Sequence, residues 1–229
     1  MSLLILVRHG KSLWNKENRF TGWTDISLSK DGIKEAQTAA QEILDQNISI
    51  DIAYSSIFSR AYETGQIMLK NSQKKEIKIQ KDWRLNERHY GNLQGLNKSE
   101  TAARYGDDQV LKWRRSFKTK PPLLSKKDHN SQLNNPIFKN IPKENIPIGE
   151  SLQDTVNRVN DFCKDILYKT LDKNKNILIA AHGNSIRALI KIIENIPDKS
   201  IEKLEIVTGK PIYYTFKNKK FNGQSSLTR

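Results

Sequence analysis

Two histidines stand in the same local setting. His9 follows the apolar run Leu3–Val7 and precedes Gly10, and His182 follows Asn176–Ala181 and precedes Gly183. A short apolar run that stops at a polar residue and a glycine reads as a buried strand ending in a loop. In open α/β sheets ligands bind beyond the carboxyl ends of the strands. Parallel strands therefore bring both imidazoles to one edge, although they lie far apart in sequence. A lone histidine after a strand is more often structural than catalytic; two in one context shift that balance. Arginine accompanies the pair, with Arg8 directly before His9 and Arg60 just beyond a second candidate strand. Guanidinium groups bind phosphate oxygens in bidentate fashion. Backbone N–H groups around Gly10 and at the start of the helix after His182 would add donors. Neutral imidazole is a good nucleophile near pH 7 and needs no metal. A phosphoryl group in transfer spreads charge over its oxygens, so positioning and positive charge carry most of the catalysis. These residue types thus point to phosphoryl chemistry. For Arg60 the competing reading is a surface ion pair, and for Arg114 and Arg115 a solvated helix face.

The elements that must position these groups follow from periodicity. Residues 29–46 predict a helix with Ser29 as N-cap and Ile33, Ala36, Ala40, Ile43 and Leu44 on one face. Residues 51–55 read as a strand, 58–70 as a helix, 78–83 as a short strand, and 97–117 as helical with a break near Gly106. The stretch 118–149 carries Pro121, Pro122, Pro136, Pro142 and Pro147 and reads as an irregular, lid-like insertion outside the core. Ser151 opens a helix with Asp154 at the capping-box position and Val156, Val159, Cys163 and Ile166 as its stripe. A helix runs from His182 to about Glu194, and 204–207 and 211–216 are the last strand candidates. Alternating strands and helices predict an α/β fold: one domain over 1–229 with a mostly parallel sheet covered on both faces.

Composition bounds the function classes. The chain has 229 residues, of which 36% are hydrophobic and 28% charged, enough for a large folded core. The first apolar run is too short to span a membrane and lacks a signal-peptide layout, which leads us to expect a cytoplasmic protein. With Cys163 as the single cysteine, no internal disulfide or cysteine-rich metal site forms. Lys plus Arg outnumber Asp plus Glu by 39 to 25, a formal charge of +14, and this favours anionic partners. A small phosphorylated substrate, a nucleic acid, or a lysine-rich composition without a specific partner would each account for it. No recognisable nucleic-acid module is present, so no nucleic-acid partner is expected. Trp14, Trp23, Trp83 and Trp113 read as packing residues, and His129 as exposed.

The segment LVRHGKS at 6–12 resembles the signature of the histidine phosphatase superfamily. Within it, WNKENRFTGWTDISLSKDG at 14–32, SSIFSRAYET at 55–64, RLNERHYGNLQGLNKSET at 84–101, KWRRSF at 112–117 and AAHGNSIRAL at 180–189 resemble the cofactor-dependent phosphoglycerate mutases. The resemblance implies a three-layer α/β/α fold. It implies interconversion of 2-phosphoglycerate and 3-phosphoglycerate, primed by 2,3-bisphosphoglycerate and requiring no metal. By motif position His9 would be the nucleophile that becomes phosphohistidine, Glu87 the proton donor and acceptor, and His182 the group that stabilises the transferring phosphoryl. Arg8 and Arg60 match phosphate ligands, and Asn15, Thr21, Gly22, Gly183 and Asn184 match further binding positions. Tyr90, Lys98, Arg114 and Arg115 match residues that hold the substrate and its carboxylate. Gly10, Lys11, Ser12, Arg88 and His89, inside the same motifs, complete the candidate binding set. Family members are often homodimers or homotetramers. The chain departs from the family at Lys11, where glutamate or glutamine is common, across 118–149, and in the tail after Phe216. The alternatives are a phosphatase of the same superfamily, in which water takes the phosphoryl group, and a basic nucleic-acid-binding protein.

Overall fold

A computed structural model describes residues 1–70 and 77–223. In chain order its elements are β1 (Ser2–Arg8), α1 (Leu13–Lys16), α2 (Lys30–Asp45), β2 (Ile52–Ser55), α3 (Ser59–Leu69), β3 (Ile79–Lys81), α4 (Lys98–Tyr105) and α5 (Asp107–Arg115). There follow α6 (Lys126–Leu133), α7 (Leu152–Phe162), α8 (Tyr168–Leu171), β4 (Ile177–Ala181), α9 (Gly183–Glu194), α10 (Asp198–Ile201), β5 (Pro211–Lys217) and β6 (Lys220–Asn222). A π-helical turn, Cys163–Leu167, joins α7 to α8.

The strands form one sheet in the order β3-β2-β4-β1-β5-β6. β3, β2, β4 and β1 pair in parallel, while β5 and β6 close one edge antiparallel. Alternation along β1 sorts the core. Leu4 and Leu6 pack with Ile177, Ile179, Val159 and Ile186 beneath α7 and α9. Ile5 and Val7 face the other way, toward Ala39, Ala40, Ile43 and Met68 of α2 and α3. Both faces are covered, which is why β1 and β4 are continuously apolar and not alternating. The result is the three-layer α/β/α arrangement expected. The register pairs Arg8 with Ala181, and His9 N–H donates to the Ala181 carbonyl at 2.9 Å, so the two histidines leave the sheet side by side.

Most elements match the pattern reading, including the Ser29 cap, the break at Gly106 and the Ser151–Asp154 capping box. Four features differ. Ile33 is 40% exposed, because the first turn of α2 meets its neighbour through Gly32 and the apolar face begins at Ala36. Residues 204–207 form no strand; the Leu204 and Ile206 carbonyls accept instead from the Arg187 and Arg8 side chains. The stretch 118–149 holds α6 and two short 3₁₀ turns. Its Phe138, Ile141 and Ile146 are buried against Trp23 and Phe58, so it has a core of its own. His129 there is half-buried. Beyond Phe216, a turn with Asn218 and Lys219 at positive φ leads into β6, and residues 224–229 lie outside the described part.

The loop that carries His9 lies directly on the start of α2. A Cβ on Gly10 would sit 2.1 Å from the Gly32 carbonyl oxygen, and one on Gly32 would sit 2.1 Å from that of Lys11. Gly10→Ala must push backbone from backbone, since no flexible side chain is there to yield. We expect it to destabilise the protein by about 1–3 kcal/mol in denaturant unfolding, the usual cost of overpacking. A loss within experimental error would show that this contact is not tight.

Candidate functional site

At the carboxyl ends of β1, β2 and β4 lies a cavity of about 320 Å³. His9 lines it, 3% exposed, and its ring meets that of His182 edge-on at 4.9 Å between centroids. His9 Nδ1 lies 2.7 Å from the Gly10 carbonyl. A carbonyl only accepts, so Nδ1 carries the proton and Nε2 holds the free lone pair. His182 Nε2 lies 2.7 Å from Ser56 Oγ, whose oxygen already accepts the Phe58 N–H. The buried Nδ1 of His182 is left without a protein partner.

The surrounding cations are held largely by peptide carbonyls. Arg8 Nη1 donates to the Ile206 carbonyl at 2.7 Å. Arg60, fully buried at the start of α3, donates to the carbonyls of Gly22 and Thr24 at 2.9 and 2.8 Å. These bonds fix the 21–24 loop over the site and leave Arg8 Nε, Arg60 Nε and Thr21 Oγ1 buried without partners. Buried polar groups are normally paired, so a cluster of such atoms fits an anion that is to arrive. Burial first, then the Arg60 and Arg8 charges, hold His9 well below the ordinary imidazole range, and burial, Arg60, His9 and Arg158 do the same for His182. Burial together with Arg114 and Arg8 lowers Lys98 to about 8, and burial lowers Arg60 and Arg187 to about 10. A bound phosphate would oppose all of these shifts.

Among the described residues, Glu87 is the carboxylate set deep in the cavity, 9% exposed. Its Oε1 accepts N–H bonds from Arg88 at 2.8 Å and from Asn184, in the first turn of α9, at 3.1 Å. The site therefore joins an imidazole nitrogen with a free lone pair, a buried carboxyl group and a shell of cations.

Of the residues expected from the sequence, Arg8, His9, Asn15, Thr21, Gly22, Arg60, Glu87, Tyr90, Lys98, Arg114, Arg115, Gly183 and Asn184 line the cavity, with His182 against His9. Five others do not. Gly10 serves the contact with α2, and its N–H is taken by Thr64 Oγ1. Lys11 turns outward to Glu35 at 3.2 Å, so its cation does not face the site. Ser12 caps α1 through the Asn15 N–H. Arg88 points to the Glu150 and Thr119 carbonyls. His89 is locked between Gln132 and the Gly91 N–H. Sequence reading missed Arg187, Arg19, Phe20 and the 205–207 segment. Arg187 lies one helical turn after Asn184 and donates to Asn184 Oδ1 at 2.6 Å, a spacing that was readable. Nothing local marks 205–207. Among the described residues no group of three or more His, Cys, Asp or Glu is placed to hold a metal.

Fold and site together define an α/β protein whose strand ends bring two uncharged imidazoles and the Glu87 carboxyl group to a cavity lined with cations. The family model described as "Histidine phosphatase superfamily (branch 1)" matches residues 4–225, and the chain belongs to that family. It is 50% identical over 214 residues to the 2,3-bisphosphoglycerate-dependent phosphoglycerate mutase of Borreliella burgdorferi (strain ZS7), covering 93% of this chain and 86% of the relative. It is 48% identical over 219 residues to 2,3-bisphosphoglycerate-dependent phosphoglycerate mutase 2 of Lactiplantibacillus plantarum, covering 96% and 95%. Among solved structures, mycobacterial glucosyl-3-phosphoglycerate phosphatase superposes with a TM-score of 0.75 at 21% identity, covering 100% of this chain and 99% of that one. Phosphoglycerate mutase from Bacillus anthracis superposes at 0.69 and 21%, covering 98% and 92%. At that identity the likeness establishes the fold alone.

The depressed imidazole pKa values set a pH dependence. In the unfolded chain histidine charges as pH falls through about 6.5, whereas the folded site keeps His9 and His182 neutral to lower pH. Protons then favour the unfolded state, so stability contributed above pH 6.5 is lost as pH drops below it. Ring signals of His9 and His182 in the anion-free protein should remain those of neutral imidazole at pH 6.5. A titration midpoint at or above 6.5 for either ring would contradict this account.

Proposed function

We propose that the chain is a 2,3-bisphosphoglycerate-dependent phosphoglycerate mutase, an isomerase that interconverts 2-phosphoglycerate and 3-phosphoglycerate in glycolysis and gluconeogenesis. The observation that carries this reading is the His9 geometry. Gly10 fixes the tautomer, so Nε2 is an uncharged nucleophile among cations with a carboxyl group in the same cavity. The roughly 50% identity to relatives of that name over nearly the whole chain supports the choice of substrate.

His9 Nε2 takes the phosphoryl group and becomes phosphohistidine. Arg8, Arg60 and His182 would meet the equatorial oxygens, where charge develops in the transition state. Glu87 gives a proton to the leaving hydroxyl and removes one from the incoming hydroxyl, so the same carboxyl serves both directions. Tyr90, Lys98, Arg114 and Arg115 lie on the cavity wall and would hold the carboxylate end of a three-carbon acid in either orientation. When bound, 2,3-bisphosphoglycerate supplies the phosphoryl group that loads His9. The cationic lining and the unpaired donors suit a doubly phosphorylated acid. No metal, a single catalytic unit over 1–229, assembly as a homodimer or homotetramer, and a cytoplasmic location belong to the same proposal. Among the described residues no helix is long and apolar enough to cross a membrane.

Incubation with 2,3-bisphosphoglycerate should yield an acid-labile, base-stable phosphoprotein, and mutase turnover should depend on that priming. His9→Ala should abolish the label; labelling on the same scale would remove His9 from the role. Release of inorganic phosphate without isomer exchange would make the protein a phosphatase of this family.

Glutamine keeps the shape of Glu87 but cannot exchange its proton. Glu87→Gln should fold and bind phosphoglycerate yet lose on the order of 10²–10⁴-fold in turnover. Loading of His9 from p-nitrophenyl phosphate, whose leaving group needs no proton, should fall far less. Equal losses in both reactions would make Glu87 an organiser of the site.

A further inference from the structure

Behind Glu87, away from the cavity, lies a buried ion pair that the chemistry above does not use. Arg158 on α7 is 7% exposed and Glu150, just before that helix, is 4% exposed. Arg158 Nε and Nη2 donate to the two Glu150 carboxylate oxygens at 2.7 and 2.9 Å, a bidentate pair. The remaining donor capacity of the guanidinium goes to a single turn. Nη1 donates to the Arg84 and Asn86 carbonyls at 2.7 and 2.9 Å, and Nη2 donates to the Glu87 carbonyl at 3.0 Å. Glu150 Oε2 also accepts the His89 N–H at 2.8 Å, so the pair holds both ends of the turn that carries Glu87.

We propose that Arg158, held by Glu150, is the positioning residue for Glu87. Trp23 Nε1 adds a bond to the Glu87 carbonyl at 2.6 Å, and the Asn184 N–H meets its carboxylate from the far side. The Glu87 backbone is thus tied from behind and its side chain from α9, which leaves the carboxyl one place to stand. Arg158 does not line the cavity and reaches Glu87 through the turn; its charge also helps hold His182 neutral, and Arg158→Lys keeps that charge. The task suits arginine: a planar fork locked by a bidentate carboxylate presents its other N–H groups in fixed directions. Lysine has one rotatable head and cannot reach three carbonyls and a carboxylate together. A displacement of about 1 Å at an acid–base group costs roughly 10²-fold in rate, so small slippage of this turn is enough to be measured.

This inference rests on the reading of Glu87 as the proton donor and acceptor, and the test separates the two. Arg158→Lys and Glu150→Gln are compared with Glu87→Gln by thermal unfolding, by mutase kinetics, and by His9 loading from p-nitrophenyl phosphate or phosphoramidate, neither of which needs a proton from Glu87. Arg158→Lys should fold and lose about 10–100-fold in kcat. Its KM and its loading rate should stay within about threefold of the parent, because ground-state binding and the nucleophile are untouched. Glu150→Gln, which keeps the shape of the partner, should show the same split to a smaller degree. If Glu87→Gln shows no split, the role of Glu87 falls. If Glu87→Gln shows it and Arg158→Lys loses both reactions alike, loses neither, or changes KM alone, the positioning role of Arg158 falls. If neither Arg158→Lys nor Glu150→Gln folds, the pair is a strut of the fold and the proposal is overturned.

Discussion

Burying positive charge without an equal complement of carboxylates is the constraint on which this structure depends. A buried guanidinium is costly unless its donors are satisfied. Here peptide carbonyls take part of them, Ile206 for Arg8, Gly22 and Thr24 for Arg60, and Leu204 for Arg187, while Arg8 Nε and Arg60 Nε stay open. A carbonyl satisfies the hydrogen bonds but does not cancel the charge. The site therefore stays electropositive and ready for an anion, while each arginine pins the loop whose carbonyls it uses. Organisation of the loops and attraction for phosphate are two effects of one arrangement.

The same arrangement accounts for the uncharged histidines. His9 and His182 share a dry pocket with Arg8 and Arg60, where a further cation would be repelled and poorly solvated. Neutrality is what a nucleophilic imidazole needs. Glu87 offsets part of the positive field from a fixed position, held through its backbone by Arg158 and through its carboxylate by α9. Phosphoryl transfer asks the protein for position and electrostatics above all, and the buried polar groups of this site serve both.

The sheet makes the arrangement possible. Strands buried on both faces need apolar residues throughout, so polar chemistry is displaced to the strand ends, and the parallel pairing of β1 with β4 brings two such ends together. This logic is legible in the residues themselves: LLILV before His9 and ILIAA before His182 mark the strands, and Ser29 and Ser151 mark helix starts. Less legible is the 118–149 stretch. Its prolines and asparagines suggest an excursion, yet Phe138, Ile141 and Ile146 find partners in Trp23 and Phe58, residues far away in sequence. Periodicity does not report such partners, because they do not recur along the segment that carries them.

The amino-acid sequence alone determined most of the element types, the ends of β1 and β4 where the two histidines stand, and the side chains capable of nucleophilic, acid–base and anion-binding roles. It did not decide which residues of a motif face the ligand. Arg88 and His89 adjoin Glu87 but turn into the protein, and Lys11 adjoins the His9 loop but pairs with Glu35 outside. Arg187 and the 205–207 segment join the cavity although no local pattern singles out 205–207. The physical reason is that an arginine or histidine points to wherever its hydrogen bonds can be satisfied once water is gone. Those acceptors are carbonyls of segments far away in sequence, which only the closed tertiary structure brings within reach.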